Sequence, residues 1–390
     1  MSIKVPFHKP IFPEDLNAFL KESTDSGWVT TGPKVSEFEA KLCDYLDAEH
    51  VVAVNSCTAA LHLALAARGI GAGDKFIVPT FTFVASVEVG EYLGAEPVLI
   101  DTDPLTFNLD LDLAEKCLKE DIEGKIKAII PVHFAGLAVD MVRVHQLAEK
   151  YHLFVLEDAA HAIETVSTYG KVGHTPHAAA FSFYANKNIT TGGEGGALAT
   201  NDAELADKVR KLSLHGMSKD GWKRFETGGK WAYDVSELGY KYNMTDIAAA
   251  FGLEQLSHIS DWHARRLEIV EKYCKKFSPI KGLILPTHLP GEVHAWHLFV
   301  IQMIPELWRI DRNTLIGKIN EKGIGTSVHY IPIHMHSYYS KKYGYKPGDF
   351  PEAQKLSETV ITLPLYPGMR EEQVEAVLRT LSELWRTYKK

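Results

Sequence analysis

The sequence predicts an α/β protein: a large layered domain on a mostly parallel central sheet, followed by a smaller C-terminal α+β domain. Three observations predict it. From Val51 to Thr200 short apolar runs alternate with amphipathic segments. Those runs are continuous in Val, Ile and Leu, as strands covered on both faces require. Beyond about Ile280 the rhythm changes to strand-like runs spaced by two long amphipathic segments.

In chain order, "HVVAVN" reads as a strand and "CTAALHLALAARG" as the helix after it, closed by Gly69. "KFIVP" and "EPVLIDTD" are further strands, with the helical "FVASVEVGEYLGA" between them. "KAIIPVHFAG" and "LFVLED" flank the helix "DMVRVHQLAEKYH", and "AAAFSFYA" and "GGALAT" complete the strand set. Helices follow at "AELADKVRKLSLHG", "MTDIAAAFGLEQLSHI" and "WHARRLEIVEKYCKKF". In the last part "HAWHLFVIQM", "GIGTSVHYIP" and "ETVITLPLYPG" read as strands, and "RNTLIGKINEKG" and "REEQVEAVLRTLSELWRTY" as helices. The expected division is residues 1–265 for the large domain, its N-terminal segment free to pack on the small one, and 266–390 for the small domain.

The 390 residues, 45% hydrophobic and 24% charged, suffice for a large buried core. No apolar run approaches the roughly 18 residues of a membrane span, and the start lacks the order of a secretory signal. Cys43, Cys57, Cys117 and Cys274 form no C-x-x-C pair, so neither a zinc ribbon nor a disulfide framework is expected, and the cytoplasm is the expected compartment. A net charge of −8 disfavours broad nucleic-acid binding.

Chemistry concentrates at strand ends. In "FSFYANKNITTGGEGGALAT", Lys187 follows a strand and precedes Gly192, Gly193, Gly195 and Gly196. An arbitrary lysine there more often reaches for water. A P-loop is excluded, because its lysine follows the glycines. A lysine held away from water loses proton affinity and becomes a usable nucleophile. "LFVLEDAAHA" ends a strand at Asp158, where ligands of open α/β sheets bind, and places His161 three residues on. Asp158 is either a turn residue or the partner of a protonated ring nitrogen. "NSCTAALHLAL" offers small residues, Cys57 and Thr58 among them, at a helix start that suits an anion. Phe83 in "VPTFTFVAS" is either core or a cover for a flat ligand ring. Together these are the four needs of pyridoxal phosphate: phosphate cradle, ring stack, pyridinium partner and an amine for the aldehyde.

With these motifs, and with "GWVTTGPKVSEFE", "ELGYKYNMTDIAAAFGLEQL", "AWHLFVI" and "LPLYPGM", the chain resembles the DegT/DnrJ/EryC1/StrS sugar aminotransferases of fold type I over almost its whole length. The resemblance implies the aspartate-aminotransferase-like fold of pyridoxal phosphate enzymes and a homodimer with shared active sites. It implies that Lys187 holds the cofactor aldehyde as an imine and that Asp158 bonds the pyridine nitrogen. By the same resemblance His161 sits by the ring hydroxyl and Phe83 covers the ring. Cys57, Thr58 and Ser182 hold the phosphate, and Asn243 reaches it from the partner subunit. The implied reaction moves the amino group of L-glutamate to a nucleotide-linked keto-deoxysugar, as in amino-sugar supply to lipopolysaccharide O-antigen.

Two departures bear on the sugar. Cys57 stands where a glycine or alanine is common, which binding through a backbone N–H tolerates. The loop "TTGGEGG" is one residue longer than the "TTGEGG" of the branch acting at carbon 4 and leans toward carbon 3, whereas "ELGYKYNMTDIAAAFGLEQL" resembles the carbon-4 branch, and a 4-keto-6-deoxy sugar is the expectation. In "SVHYIPIHMHSYY", His329 and His334 are expected to meet substrate, with His336 nearby. Zinc is the rival reading of these histidines, but without an H-E-x-x-H frame or a cysteine partner no metal is expected. The family's dehydratases carry histidine in place of the lysine, so Lys187 argues against them. A pyridoxal phosphate lyase or decarboxylase, and a regulatory protein that binds without turnover, stay open as alternatives.

Overall fold

A computed structural model of the chain describes residues 4–217 and 234–390. Two helices come first, α1 (Leu16–Ser26) and α2 (Pro33–Leu46). Alternating units follow: β1 (His50–Val54), α3 (Cys57–Arg68), β2 (Lys75–Pro79), α4 (Ala85–Glu91), β3 (Glu96–Ile100), α5 (Leu111–Glu120), β4 (Ile126–Ile129), α6 (Met141–Tyr151) and β5 (Phe154–Asp158). A small hairpin, β6 (Val166–Ser167) and β7 (Gly170–Lys171), leads to β8 (Ala178–Ser182), β9 (Gly196–Thr200) and α7 (Ala203–Ser213). Next come α8 (Asp246–Ser257), α9 (Ile259–Phe277), β10 (Leu283–Ile284), β11 (Phe299–Met303) and α10 (Arg312–Glu321). The chain closes with α11 (Ser337–Tyr343), α12 (Pro351–Thr359), β12 (Val360–Leu363) and α13 (Glu371–Tyr388).

The central sheet has seven strands in the order β1-β9-β8-β5-β4-β2-β3. β9 runs antiparallel to its neighbours β1 and β8, and the remaining pairings are parallel. Successive strand residues point to opposite faces. Val52, Val78, Leu156, Ala180 and Leu198 therefore pack under α3 and α7. Val51, Phe181 and Ala197 face α2 and α8, and Ile77, Ile129 and Val155 face α5 and α6. The helix α3 is buried nearly all round, and small residues let it settle against β8, whose Ala178, Ala179 and Ala180 are fully buried. Closest approach comes at Gly196: a Cβ there would lie 2.4 Å from the Cys57 backbone nitrogen, so any side chain would push β9 off the start of α3.

A second core surrounds the three-stranded sheet β10-β11-β12. It draws Ile269, Tyr273 and Phe277 from the latter half of α9, Leu381 from α13, and Val5 from the N-terminal segment. Val5 exchanges backbone hydrogen bonds with Gly323 and Gly325.

The segment "GIGTSVHYIP" does not form the expected strand. Ile324 bridges to Val5 and Ser327 to Thr362 as isolated pairs. The N-terminal segment fills the space alongside, with Phe7 nitrogen 2.7 Å from where a Cβ of Gly325 would sit. The chain leaves the sheet there and turns toward the cavity described below. The expected strand "EPVLIDTD" also stops early, at Ile100, because the Asp101 carboxylate accepts the N–H groups of Glu352 and Ala353 at the start of α12. Among the described residues no helix is long and apolar enough to cross a membrane.

Candidate active site

The carboxyl ends of β5 and β8 and the start of α3 converge on a cavity of about 440 Å³. Lys187, Asp158, Cys57, Thr58, Phe83, His161, Ser182 and His329 all line it.

Asp158 ends β5 and is buried, and both its oxygens are engaged. Oδ2 accepts from Ser86 Oγ at 2.6 Å and Oδ1 from the Ala160 N–H at 3.1 Å. Ser86 is in turn paired with Thr82 Oγ1 at 2.9 Å. The carboxylate is thereby locked in orientation. Lys187 lies in the turn after β8, its N–H bonded to the Tyr184 carbonyl at 2.9 Å. Among the described residues no group accepts a hydrogen bond from its Nζ. Burial pulls its pKa from 10.5 down to about 8, and the carboxylate of Asp158 opposes that fall. A desolvated amine without a partner, beside an oriented carboxylate, is a nucleophile in waiting.

The anion end is built by α3. Ser56 caps it, accepting the Ala59 N–H at 3.0 Å, and leaves the helix start beside Gly195 and Ser182 across the cavity. Burial, then the nearby Asp158, pushes the Cys57 thiol well above its ordinary pKa. The thiol stays protonated, with Sγ 3.5 Å from the Ala180 carbonyl oxygen, so its offering to an anion is the backbone.

The aromatic wall is half prepared. Phe83 is 59% exposed, its ring 6.3 Å from that of Tyr330. His161 is buried; its Nδ1 accepts the Ala135 N–H at 3.2 Å, so the ring proton sits on Nε2, which donates to the Tyr330 hydroxyl at 3.2 Å. Burial, reinforced by Lys187 and then His329, drives the His161 pKa well down, and the ring is neutral. His329 is likewise lowered, to about 4, by burial and then Lys187, and pairs with Thr362 Oγ1 at 2.9 Å.

His334 is not brought to this cavity, and Asn243, expected to reach the phosphate from a partner subunit, lies outside it in its own chain. His334 is buried away from it, bonded to Thr80 Oγ1 at 2.9 Å and packed on Phe350, so it belongs to the core. Asn243 donates to Thr31 Oγ1 at 2.7 Å and lines a separate cavity of about 320 Å³ with Arg210 and Lys211. His336 is exposed at the start of α11.

Sequence reasoning missed Tyr330, His297 and Ser86. His297 lines the cavity, and a buried chain fixes its tautomer. Arg266 donates to Glu164 at 2.9 Å, and Asn188 Nδ2 donates to the same carboxylate at 2.6 Å. That leaves Asn188 Oδ1 to accept from His297 Nδ1 at 3.0 Å, and His297 Nε2 carries a bare lone pair. Each missed residue sat inside a motif already noticed, "SVHYIPIHMHSYY", "AWHLFVI" and "VPTFTFVAS".

The cavity fits pyridoxal phosphate by the chemistry of its donors: N–H groups for a phosphate, an unpaired ring face, a held carboxylate and a low-pKa amine. Comparisons agree. Residues 11–382 match the model of the DegT/DnrJ/EryC1/StrS aminotransferase family. The Bacillus subtilis spore coat polysaccharide biosynthesis protein SpsC is 44% identical over 382 residues, covering 97% of each chain. Among solved structures, Spr1654 of Streptococcus pneumoniae, named as a sugar aminotransferase and solved in a PMP form, superposes with a TM-score of 0.90 at 32% identity, covering 99% of this chain and 98% of that one. The Spr1654 protein is also solved in a PLP form. DesV of S. venezuelae, solved in complex with a ketimine intermediate, gives 0.86 at 31% identity, covering 95% and 94%.

Proposed function

The chain belongs to the DegT/DnrJ/EryC1/StrS aminotransferase family and is a sugar aminotransferase that uses pyridoxal phosphate, and from that premise we propose that it moves the amino group of L-glutamate to carbon 4 of a nucleotide-linked 4-keto-6-deoxysugar. The observation that carries the transaminase reading is the placing of Lys187 and Asp158 on one cavity with the start of α3.

When bound, the cofactor supplies an electron sink for the negative charge left when a proton departs a substrate carbon. The chain supplies the rest. Helix α3 offers the N–H groups of Cys57 and Thr58 to the phosphate, and Ser182 adds a hydroxyl. Asp158, held by Ser86 and Ala160, faces the ring nitrogen and keeps its proton in place, since a charge pair off water is strong. Phe83 covers one ring face, and this accounts for its exposure in the free chain. His161 and Tyr330 stand beside the ring with their hydrogen bonds preset. Lys187 Nζ, whose pKa of about 8 leaves a substantial neutral fraction at physiological pH, would take a proton from the substrate carbon and return it two atoms along, across the nitrogen. The lone pair of His297 Nε2 accepts from a substrate hydroxyl.

Each site is shared in a homodimer, with Asn243 serving the partner's phosphate. That reading is supported by its place outside its own chain's cavity, on the half-buried pair with Thr31. The four cysteines are free, which suits a cytoplasmic setting where glutamate is plentiful. A second reading, amination at carbon 3, has the longer glycine loop in its favour: Gly192 and Gly193 both take positive φ, 89° and 151°, beside the cavity.

Incubating the enzyme with keto-sugars linked to UDP, dTDP or GDP, plus glutamate, and mapping the product by mass spectrometry decides between them. The expected product carries nitrogen at carbon 4. Nitrogen at carbon 3 selects the second reading. Conversion by glutamate alone to the spectrum of the amine form of the cofactor is expected as well, and a lyase or a non-catalytic binder would not give it.

A further inference from the structure

Away from the cavity, three side chains meet where α8 ends and α9 begins. His258 Nε2 stands 3.4 Å from Glu254 Oε1 and 3.5 Å from Asp15 Oδ2. All three atoms lie within 4.8 Å of one another. Although this close, His258 Nε2 and Glu254 Oε1 are buried atoms with no hydrogen-bond partner. The Glu254 side chain is fully buried, so its bare oxygen is a costly feature unless something fills the gap.

We propose that Asp15, Glu254 and His258 form a binding site for a divalent transition-metal cation of the zinc type. No sequence pattern marks it, and the expectation was of no metal. One imidazole nitrogen and two carboxylate oxygens suit such a cation. Bonds of about 2.0–2.1 Å set tetrahedral ligand atoms about 3.3–3.4 Å apart, close to the spacing around His258 Nε2. Supporting contacts hold the ligands ready. Glu254 Oε2 accepts from Gln255 Nε2 at 2.8 Å, which leaves Oε1 for the metal. Asp15 occupies the N-cap position of α1 yet makes no capping hydrogen bond; its carboxylate is turned to His258 instead.

The site would tie the N-terminal segment to the catalytic loop. Gln255, next to Glu254, donates to the Ile11 carbonyl at 2.9 Å and accepts the Thr190 N–H at 3.3 Å. Thr190 lies in the loop that carries Lys187. A cation pinning Asp15 to α8 and α9 therefore holds the segment that closes over that loop.

The rival occupant is a proton on His258 shared between two carboxylates, and stoichiometry separates the two. The cofactor-loaded protein, dialysed against chelator, is titrated with Zn²⁺ by calorimetry beside the Asp15→Asn and His258→Gln variants. Asp15 is exposed and makes no capping hydrogen bond that the change could remove, so that variant folds. Wild type is expected to take up one more Zn²⁺ per chain than either variant, or to bind it at least about tenfold more tightly, with a Zn²⁺-dependent rise in Tm that the variants lack. The lysine-bound cofactor absorbance should be the same in all three. Equal uptake and equal Tm shifts in wild type and variants, or no uptake in any, would overturn the proposal.

Discussion

Replacing Lys187 with alanine abolishes the near-visible absorbance of lysine-bound pyridoxal phosphate and lowers transamination by more than about 10³-fold, the scale of a lost general acid–base group. The protein itself should survive the change, because Lys187 borders a cavity and no side-chain partner is orphaned by its loss. The wild-type amine also sets a pH dependence. With its pKa at about 8, the free amine is half neutral near that pH, and its reactive fraction grows as pH rises. Attachment of pyridoxal phosphate to the apoprotein, followed spectroscopically, should quicken up to about pH 8 and then level off. A lysine at the ordinary 10.5 would keep climbing. A variant that kept both absorbance and turnover would remove Lys187 from the chemistry.

Asp158→Asn separates binding from catalysis. The asparagine can keep the geometry: its oxygen still accepts the Ala160 N–H, and its amide donates to Ser86 Oγ, which can accept. What is lost is the negative charge that holds a proton on the ring nitrogen. Transamination should fall roughly 10²–10³-fold, as for removal of a preorganised electrostatic partner, while lysine-bound absorbance persists. Retention of wild-type turnover would mean that the carboxylate is a turn residue with no part in the reaction.

Much of the cavity was legible because a doubly covered sheet delivers its functional groups at strand ends. Continuous runs such as "LFVLED" mark their own termini, and Asp158, the start of α3 and the lysine turn follow from them. What stayed hidden is non-local. Tyr330 reaches the cavity because the chain around Ile324 pairs with Val5, far off in sequence, and then leaves the sheet. His297 acquires its bare nitrogen through Asn188, Glu164 and Arg266, which share no sequence pattern. His334 misled for the same reason: three histidines lie close in sequence, but Thr80 draws one of them into the core. Asp15, Glu254 and His258 lie at opposite ends of the large α/β layer in sequence, and only the packing of α1 on α8 unites them.

The account depends on a single bond between the cofactor and this chain. Borohydride reduction of the pyridoxal phosphate-loaded enzyme, followed by proteolysis and mass mapping, reads it directly. The account predicts one pyridoxyl adduct per chain, on Lys187; an adduct on a different lysine, or none on an enzyme that still turns over, would contradict it.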